Sequence, residues 1–416
     1  KVEIEQKASI TNGDRSTYEG QISGIEDIPM SAAEIKSALD SYRMDEAKFA
    51  THEDFDTRPD LLNCLNGVVN LQTKELLPHD PAFRLTFMVQ FKYNPEAKCP
   101  LWLAFLQKVF QDDPDSVKSM RLQLGYFLTA EMREQKFFVW VGNGRNGKST
   151  IRNVLSFILG DYLGDCSSSA FIVKRFNQEV YELADQAQKR LMFSAEITDT
   201  YQLDEPLIKA VTGGDKHTFR QIYGKPMRIY PKFKIIILCN RVPEIRGTDD
   251  GIWDRCNILQ FKQKFEGKSR VQDYHKVLLA ESEGILTWLV EAAAEWYREG
   301  LFVSAESDEM NSMLRKASDP LGQFLEESCE FGYGKKVGAT LLYEEYRRWS
   351  EERKEPAMSQ AKFGLELMAR QIPGVKKTYL SGRYSYCGIG LKPDPLLSEV
   401  GEEGGSDQAS MPDFTF

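Results

Sequence analysis

A chain of 416 residues has room for about three domains at roughly 150 residues each. Its 42% hydrophobic and 28% charged content is that of an ordinary soluble globular protein, which excludes collagenous, disulfide-scaffold and wholly disordered classes. The formal charge is −9, but six acids and no Lys or Arg lie between Asp394 and Phe416, so the rest carries only −3 and any basic patch must be local.

The seven cysteines, Cys64, Cys99, Cys166, Cys239, Cys256, Cys329 and Cys387, are odd in number and form no CxxC pair. Reduced thiols in a cytoplasmic compartment and no zinc site are expected. His52, His79, His217 and His275 are equally scattered. No apolar run approaches the ~18 residues of a membrane span, and no basic-then-apolar leader opens the chain. Lys1 in place of Met is read as the start of a fragment.

Residues 1–24 are polar and aperiodic and are expected to be a flexible segment. Ser31-Ala32-Ala33-Glu34 has the capping-box spacing and predicts a helix after it. Asn66-Gly67 followed by Val68-Val69-Asn70-Leu71 and then Glu75-Leu76-Leu77 reads as a hairpin. Leu and Phe at three- and four-residue spacing predict a helical stretch from Leu101 to Met132. These pieces form a small N-terminal accessory domain over 25–135.

From Phe137 the pattern becomes short apolar runs, at 137–141, 190–195 and 235–239, which suit strands covered on both faces. An α/β core is therefore expected over 136–303, closing on helical sequence from Val271 to Glu299. A connector at 304–318, a third unit at 319–393 and an acidic, disordered tail at 394–416 complete the chain. In the third unit Ser359 is positioned to cap a helix to Arg370, with Phe363 and Leu367 inward and Lys362 and Arg370 outward. Lys376 to Leu380 and Arg383 to Tyr386 read as a β-wing.

Phe137-Phe138-Val139-Trp140-Val141 leads straight into Gly142-Asn143-Gly144-Arg145-Asn146-Gly147-Lys148-Ser149-Thr150. This is G-x-x-x-x-G-K-[ST] between a strand and an apolar helix, the context that gives the motif its meaning. The glycines let backbone N–H groups wrap phosphates; Lys148 reaches the β/γ-phosphates of ATP and Ser149 ligates Mg²⁺. Arg190 to Ala195 is a buried-strand pattern ending at Glu196, 48 residues after Lys148. Glu196 is the candidate for polarising water and supporting the metal, with Asp199 as local competitor. A third strand ends at Asn240, whose amide can bond a γ-phosphate or position water, and Trp253-Asp254-Arg255 supplies an arginine that can act across a subunit interface.

With Leu207-Ile208-Lys209-Ala210-Val211-Thr212-Gly213-Gly214-Asp215 between the acid strand and Asn240, the set from Gly142 to Arg255 fits within 114 residues. It resembles a superfamily-three helicase of the phage and plasmid primase class, related to the poxvirus primase-helicases. The resemblance extends over roughly residues 60–393, from Asn66-Gly67-Val68 to a C-terminal segment that resembles a winged helix. It implies an AAA+-like phosphate-loop fold, ATP and Mg²⁺, and a homo-oligomeric ring, six-membered by expectation. The implied activity is three-prime to five-prime DNA unwinding in replication, in the cytoplasm of a bacterial host where the gene is phage- or plasmid-borne, with a primase or polymerase segment upstream in many relatives. It gives Glu196 the Walker B role, Asn240 the sensor role and Arg255 the finger from a neighbour, with Lys209 a further interface candidate. Many members have two adjacent acids where Ala195-Glu196 has one, which leaves the metal's second partner open.

Between Lys216 and Lys234 there are six basic residues and no acid, interleaved with Phe219, Tyr223, Tyr230 and Phe233. Tyr223-Gly224-Lys225-Pro226 reads as a turn, so Lys216, Arg220, Lys225 and Arg228 are the candidate contacts to single-stranded or forked DNA. Two rivals remain: an ATPase that translocates on duplex DNA without unwinding it, and an origin-binding initiator switched by nucleotide.

Overall fold

The computed structural model of the chain describes residues 52–173, 183–196, 202–220, 226–245, 247, 250–380 and 382–393, with isolated positions from 31 to 37. Residues 1–24, read as a flexible segment, most of the sequence after Ser31 read as a helix, Asp199, Lys225 and the acidic tail lie outside the described residues. Two units are separable, Lys1–Thr57 with Asp80–Thr86, and Arg58–His79 with Phe87–Phe416. In the first, Asp56 accepts from the Thr86 amide at 2.9 Å and Asp80 caps a short turn by accepting from Ala82 at 2.8 Å.

The second unit begins with a three-stranded antiparallel sheet, β1 (Leu61–Cys64), β2 (Gly67–Asn70) and β3 (Leu76–Leu77). The expected hairpin is its β2–β3 pair, with Val69 opposite Leu76. The expected helix from Leu101 to Met132 is two helices, α1 (Pro100–Val109) and α2 (Pro114–Leu128). Gln111 and Asp112 take left-handed φ of 55° and 61° between them. Asp113 then caps α2 and Pro114 fills its first turn, where a missing N–H costs nothing.

Five parallel strands follow: β4 (Phe137–Val141), β5 (Leu163–Cys166), β6 (Leu191–Ser194), β9 (Lys234–Cys239) and β10 (Cys256–Gln260), in spatial order β10-β4-β9-β6-β5. The strands between β6 and β9 in sequence, β7 (His217–Arg220) and β8 (Pro226–Ile229), form a separate antiparallel pair. Helix α3 (Lys148–Leu159) follows β4, α4 (Glu205–Thr212) precedes β7, and α5 (Asp250–Trp253) precedes β10.

Alternation along the strands divides their side chains between two cores. Phe138, Trp140, Phe193, Ile236 and Leu259 join one, with α1, α2 and α7 (Ser282–Glu299), while Phe137, Val139, Met192, Ile237 and Ile258 join the other, with α4 and α5. The first core takes residues from both sides of position 135, from Leu62 to Trp296. Gly125 lets α2 approach α7 closely, since a Cβ there would lie 2.3 Å from the Ala292 backbone.

Two cations are buried at the carboxyl end of α2. Arg190 donates to the carbonyls of Leu128 and Leu61, and Lys234 donates to that of Thr129. The Leu128 and Thr129 carbonyls, at the end of α2, have no partner within the helix, and the helix dipole favours positive charge there. Lys234 is fully buried, lies 4.6 Å from the Tyr126 ring, and is pushed well below the ordinary lysine range by burial. It therefore does not belong to the exposed basic stretch in which its sequence position suggested it.

The segment read as a connector is helix α8 (Ala305–Ala317), which Ser304 caps by accepting from Ser307. Asn311 donates to the Cys256 carbonyl at 3.1 Å, docking α8 on β10. Beyond it, α9 (Pro320–Ser328), α10 (Ala339–Glu352) and α11 (Gln360–Ala369) pack on an antiparallel sheet of β11 (Cys329–Gly338), β12 (Lys376–Leu380) and β13 (Arg383–Leu391), in order β11-β13-β12. Ser359 caps α11, with Phe363 and Leu367 buried and Lys362 exposed, as expected. Arg370 differs: it is half-buried and paired with Asp319, the capping residue of α9.

Candidate functional site

The strand order brings the site together. β9 lies between β4 and β6, so the residues that follow these three strands emerge side by side at one edge of the sheet. After β4 the loop turns sharply through left-handed φ at Gly144 (75°), Arg145 (52°) and Gly147 (97°). Gly142 must be glycine because a Cβ would lie 2.1 Å from the Asn146 amide and 2.6 Å from the Phe261 carbonyl. Gly147 is packed against Val109 and serves as N-cap of α3, so no side chain covers the helix N-terminus. Free backbone N–H groups and the positive end of the helix dipole are thereby presented at Lys148, Ser149 and Thr150. Asn146 is buried, while Asn143, Arg145 and Ser149 are exposed.

Lys148 opens α3 and its ammonium donates to the Gly142 carbonyl. Burial lowers its proton affinity below the usual lysine range, and the neighbouring Glu196 carboxylate acts in the opposite direction. Asn240, one residue beyond β9, completes the cluster: with its amide turned so that the nitrogen faces these two acceptors, the orientation that satisfies both, it donates to the Gly142 carbonyl at 2.8 Å and to Glu196 Oε1 at 2.9 Å. Ser194 at the end of β6 accepts from the Leu238 amide at 3.3 Å, locking the two strand ends in register. Four of the residues singled out by sequence, Gly142, Lys148, Glu196 and Asn240, are thus in one connected group.

This group borders a cavity of about 790 Å³, lined by residues 144–150 and Glu196. Its size, the uncapped helix start and the exposed Ser149 hydroxyl fit a nucleoside triphosphate with a divalent cation. The rest of the lining includes Phe105, Gln111, Gln263, Phe265, Arg270 and Tyr274. Sequence reasoning passed over these residues, because they lie in α1, at its end, and after β10, outside any phosphate motif.

Arg255 lies elsewhere in the chain. Its carbonyl accepts from the Phe137 amide at the start of β4, the end opposite the phosphate loop, a strand length of roughly 15 Å away at about 3.3 Å per residue. Its guanidinium donates to the Gly251 carbonyl and, at 3.4 Å, to Gln135, while its Nε is buried with no partner among the described atoms. Lys209 is half-buried in α4, away from the cavity lining. In the basic stretch Arg228 is exposed and pairs across β7–β8 with Thr218, and Lys216 stacks at 5.1 Å on Tyr230. Arg220 closes β7, whereas Phe219 and Phe233 are core residues. Lys225 falls outside the described residues.

Fold and site together define a mixed α/β protein with a central parallel sheet and a glycine-rich, lysine-bearing loop at the carboxyl end of its second strand in spatial order. Residues 28–111 match the family described as D5 N terminal like, and residues 140–255 match a family of unknown function, DUF5906. A protein of Acanthamoeba polyphaga mimivirus named "Putative helicase" is 27% identical over 59% of this chain and 28% of its own length. A protein of the same name in Invertebrate iridescent virus 3 is 25% identical over 63% of this chain and 30% of its own. A "Putative primase" of African swine fever virus is 25% identical over 50% of this chain and 23% of its own. The chain therefore spans under a third of the length of these relatives. The apo A-form structure of the NrS-1 C-terminal region shares the fold, with a TM-score of 0.51 at 12% identity over 79% of this chain and 96% of that one. The resemblance to the primase-helicase class is matched by the names of these viral relatives and by the D5 N terminal like model over 28–111, while the second family model spans the motif set from Gly142 to Arg255. Among the described residues no helix is long and apolar enough to cross a membrane.

Proposed function

We propose that this chain is the ATP-hydrolysing motor segment of a replicative DNA helicase of the primase-helicase class, working as a homo-oligomeric ring. The observation that carries the reading is the Asn240 amide, which in its bond-satisfying orientation joins Gly142 of the loop to Glu196 in the lining of the 790 Å³ cavity. A glycine-rich turn with no catalytic task has no need of a strand-end amide and a carboxylate held in that register.

In this reading the transferable phosphoryl group would come from ATP, and Ser149 and Glu196 would hold a Mg²⁺ ion that supplies charge balance. The chain's own residues do the positioning. Residues 142–150 wrap the phosphates with backbone N–H groups, and Lys148 exchanges its bond to the Gly142 carbonyl for one to phosphate. Glu196 orients the attacking water and takes up its proton, while Asn240 fixes the carboxylate and senses the terminal phosphate.

Arg255 is a strand length from its own cavity, so the finger role proposed for it is one played in a neighbour's site. The names of the viral relatives support the DNA-processing context. Arg220 and Arg228 of the β7–β8 pair, Lys216 just before it and Lys225, which lies between the two strands in sequence, are the proposed DNA contacts, and the unit over 319–393 is read as a winged helix whose β12–β13 hairpin carries Lys377 against Tyr384. Strand displacement on a forked substrate, run beside native mass and ATP turnover with and without single-stranded DNA, tests the reading. DNA-stimulated turnover, fork opening and a ring mass are expected. ATP turnover with duplex translocation but no strand separation would replace it by a packaging type of motor.

A further inference from the structure

We propose that the aromatic wall of the phosphate-loop cavity, built by Phe265 and Tyr274 with Val271 beside them, is the seat of a purine base, so that this wall selects the nucleotide which the loop hydrolyses. The inference rests on the reading of the loop as a phosphate site and adds the part of the ligand that the loop cannot recognise. A phosphate loop holds any triphosphate; it takes a second surface to tell one base from another.

Three aromatic rings meet on this side. Phe105 of α1 stands 6.4 Å from Phe265 at an interplanar angle of 24°, and 5.6 Å from Tyr274 at 53°. Phe105 is almost wholly buried and forms the foundation, whereas Phe265 and Tyr274 are only half-buried and face the cavity they line. Val271 is 54% exposed at the same wall, apolar area that the protein's own packing leaves uncovered. Half-covered rings beside an uncovered aliphatic group are what a flat, apolar heterocycle needs on its two faces.

A polar edge lies next to the rings. Gln111 Nε2 donates to Gln263 Oε1 at 3.2 Å, and both amides line the cavity. That bond leaves the Gln111 carbonyl oxygen free to accept and one Gln263 amide hydrogen free to donate, the pairing that the amino-and-ring-nitrogen edge of adenine presents. Gln111 is carried there by its left-handed backbone (φ 55°), an uncommon conformation for a residue other than glycine.

The wall is also fixed to the loop. The Phe265 amide donates to the Arg145 carbonyl at 2.8 Å, and Glu266 and Ser269 close a reciprocal capping turn between Phe265 and Tyr274. Base and phosphates would thus be held by surfaces in direct register, which is how positioning lowers the cost of ordering the ligand. The wall draws on residues 263–274, outside both segments that the family models match, and on α1 and its end, inside the first.

The test compares magnesium-ATP with magnesium tripolyphosphate, which shares the phosphates and lacks the base, on the whole chain by calorimetry. Wild type should bind ATP more tightly than tripolyphosphate, and purine more tightly than pyrimidine triphosphates. Tyr274→Leu and Phe265→Leu keep apolar packing and remove a ring; each should weaken ATP about ten-fold and leave tripolyphosphate unchanged. Tyr274→Phe should restore ATP binding, and Val271→Ser, at an exposed position that the fold does not depend on, should weaken it by a few fold. If the leucine and serine variants bind ATP as wild type does, or lose ATP and tripolyphosphate equally, the wall is not the base seat. Wild-type protein that binds neither ligand overturns the phosphate site itself, and the base seat with it.

Discussion

Around the phosphate loop, three chain segments send polar groups to one point; along residues 216–234, one segment deals its groups out to opposite sides. Gly142, Lys148, Glu196 and Asn240 end in contact because they follow neighbouring parallel strands whose order fixes where they emerge. Between Lys216 and Lys234 the described charges share a place in the sequence and not a surface: Arg228 is exposed, while Phe219, Phe233 and Lys234, the last on a strand buried along its whole length, are in the interior. Residues tied to strand ends can be assembled from sequence, whereas a count of charges along strands overstates the patch they make.

Lys148→Ala is the most damaging test of the convergent region. Phosphate release should fall to background, by at least 100-fold, because the cation that follows developing charge on the phosphoryl group is gone. The circular dichroism spectrum and melting profile should stay near wild type. Turnover within a few fold of wild type would break the comparison outright.

Asn240→Ala should lower turnover about 100-fold while nucleotide affinity stays within a few fold, since the amide holds Glu196 and does not hold the phosphates in the ground state. Loss of nucleotide binding instead would make Asn240 a structural brace of the loop. The dispersed region predicts a graded pattern. Lys225→Ala and Arg228→Ala should each reduce the slope of log affinity for single-stranded DNA against log salt by about one, and Lys225→Ala should depress fork opening most, with basal ATPase intact. Lys234→Met should leave that slope unchanged.

Lys234 gives the smallest effect and the sharpest contrast. Burial holds it well below 10.5 in the folded chain, so between its folded value and 10.5 the unfolded chain binds more protons. Stability from this group must therefore rise with pH through that window, the charging penalty being greatest below the folded value and absent above 10.5. Denaturant unfolding at pH 7 and pH 10 should show wild type gaining on Lys234→Met at the higher pH. A difference that is flat with pH would return Lys234 to the solvated stretch.

The hairpin near Asn66, the strands around 137, 191 and 235 and the cap at Ser359 were legible because apolar period, turn residues and caps act locally. The break between α1 and α2 was also written there, in Asp112-Asp113-Pro114, but the Leu and Phe spacing on either side hides it. Helix α8 was taken for a connector because its surface is polar; only its docking on β10 through Asn311, Met310 and Leu314 shows why it is a helix. The buried cations Arg190 and Lys234 and the aromatic wall of Phe265 and Tyr274 were not legible, since each depends on which distant segment packs opposite.

The central claim is that Glu196, held by Asn240 beside the phosphate loop, makes this cavity a site of hydrolysis. Glu196→Gln keeps the volume and one hydrogen bond and removes the charge that orients water. Nucleotide binding and turnover measured on the same preparation should show ATP retained at near wild-type affinity with turnover reduced at least 100-fold, leaving an ATP-filled assembly. Turnover that survives the substitution would contradict the account.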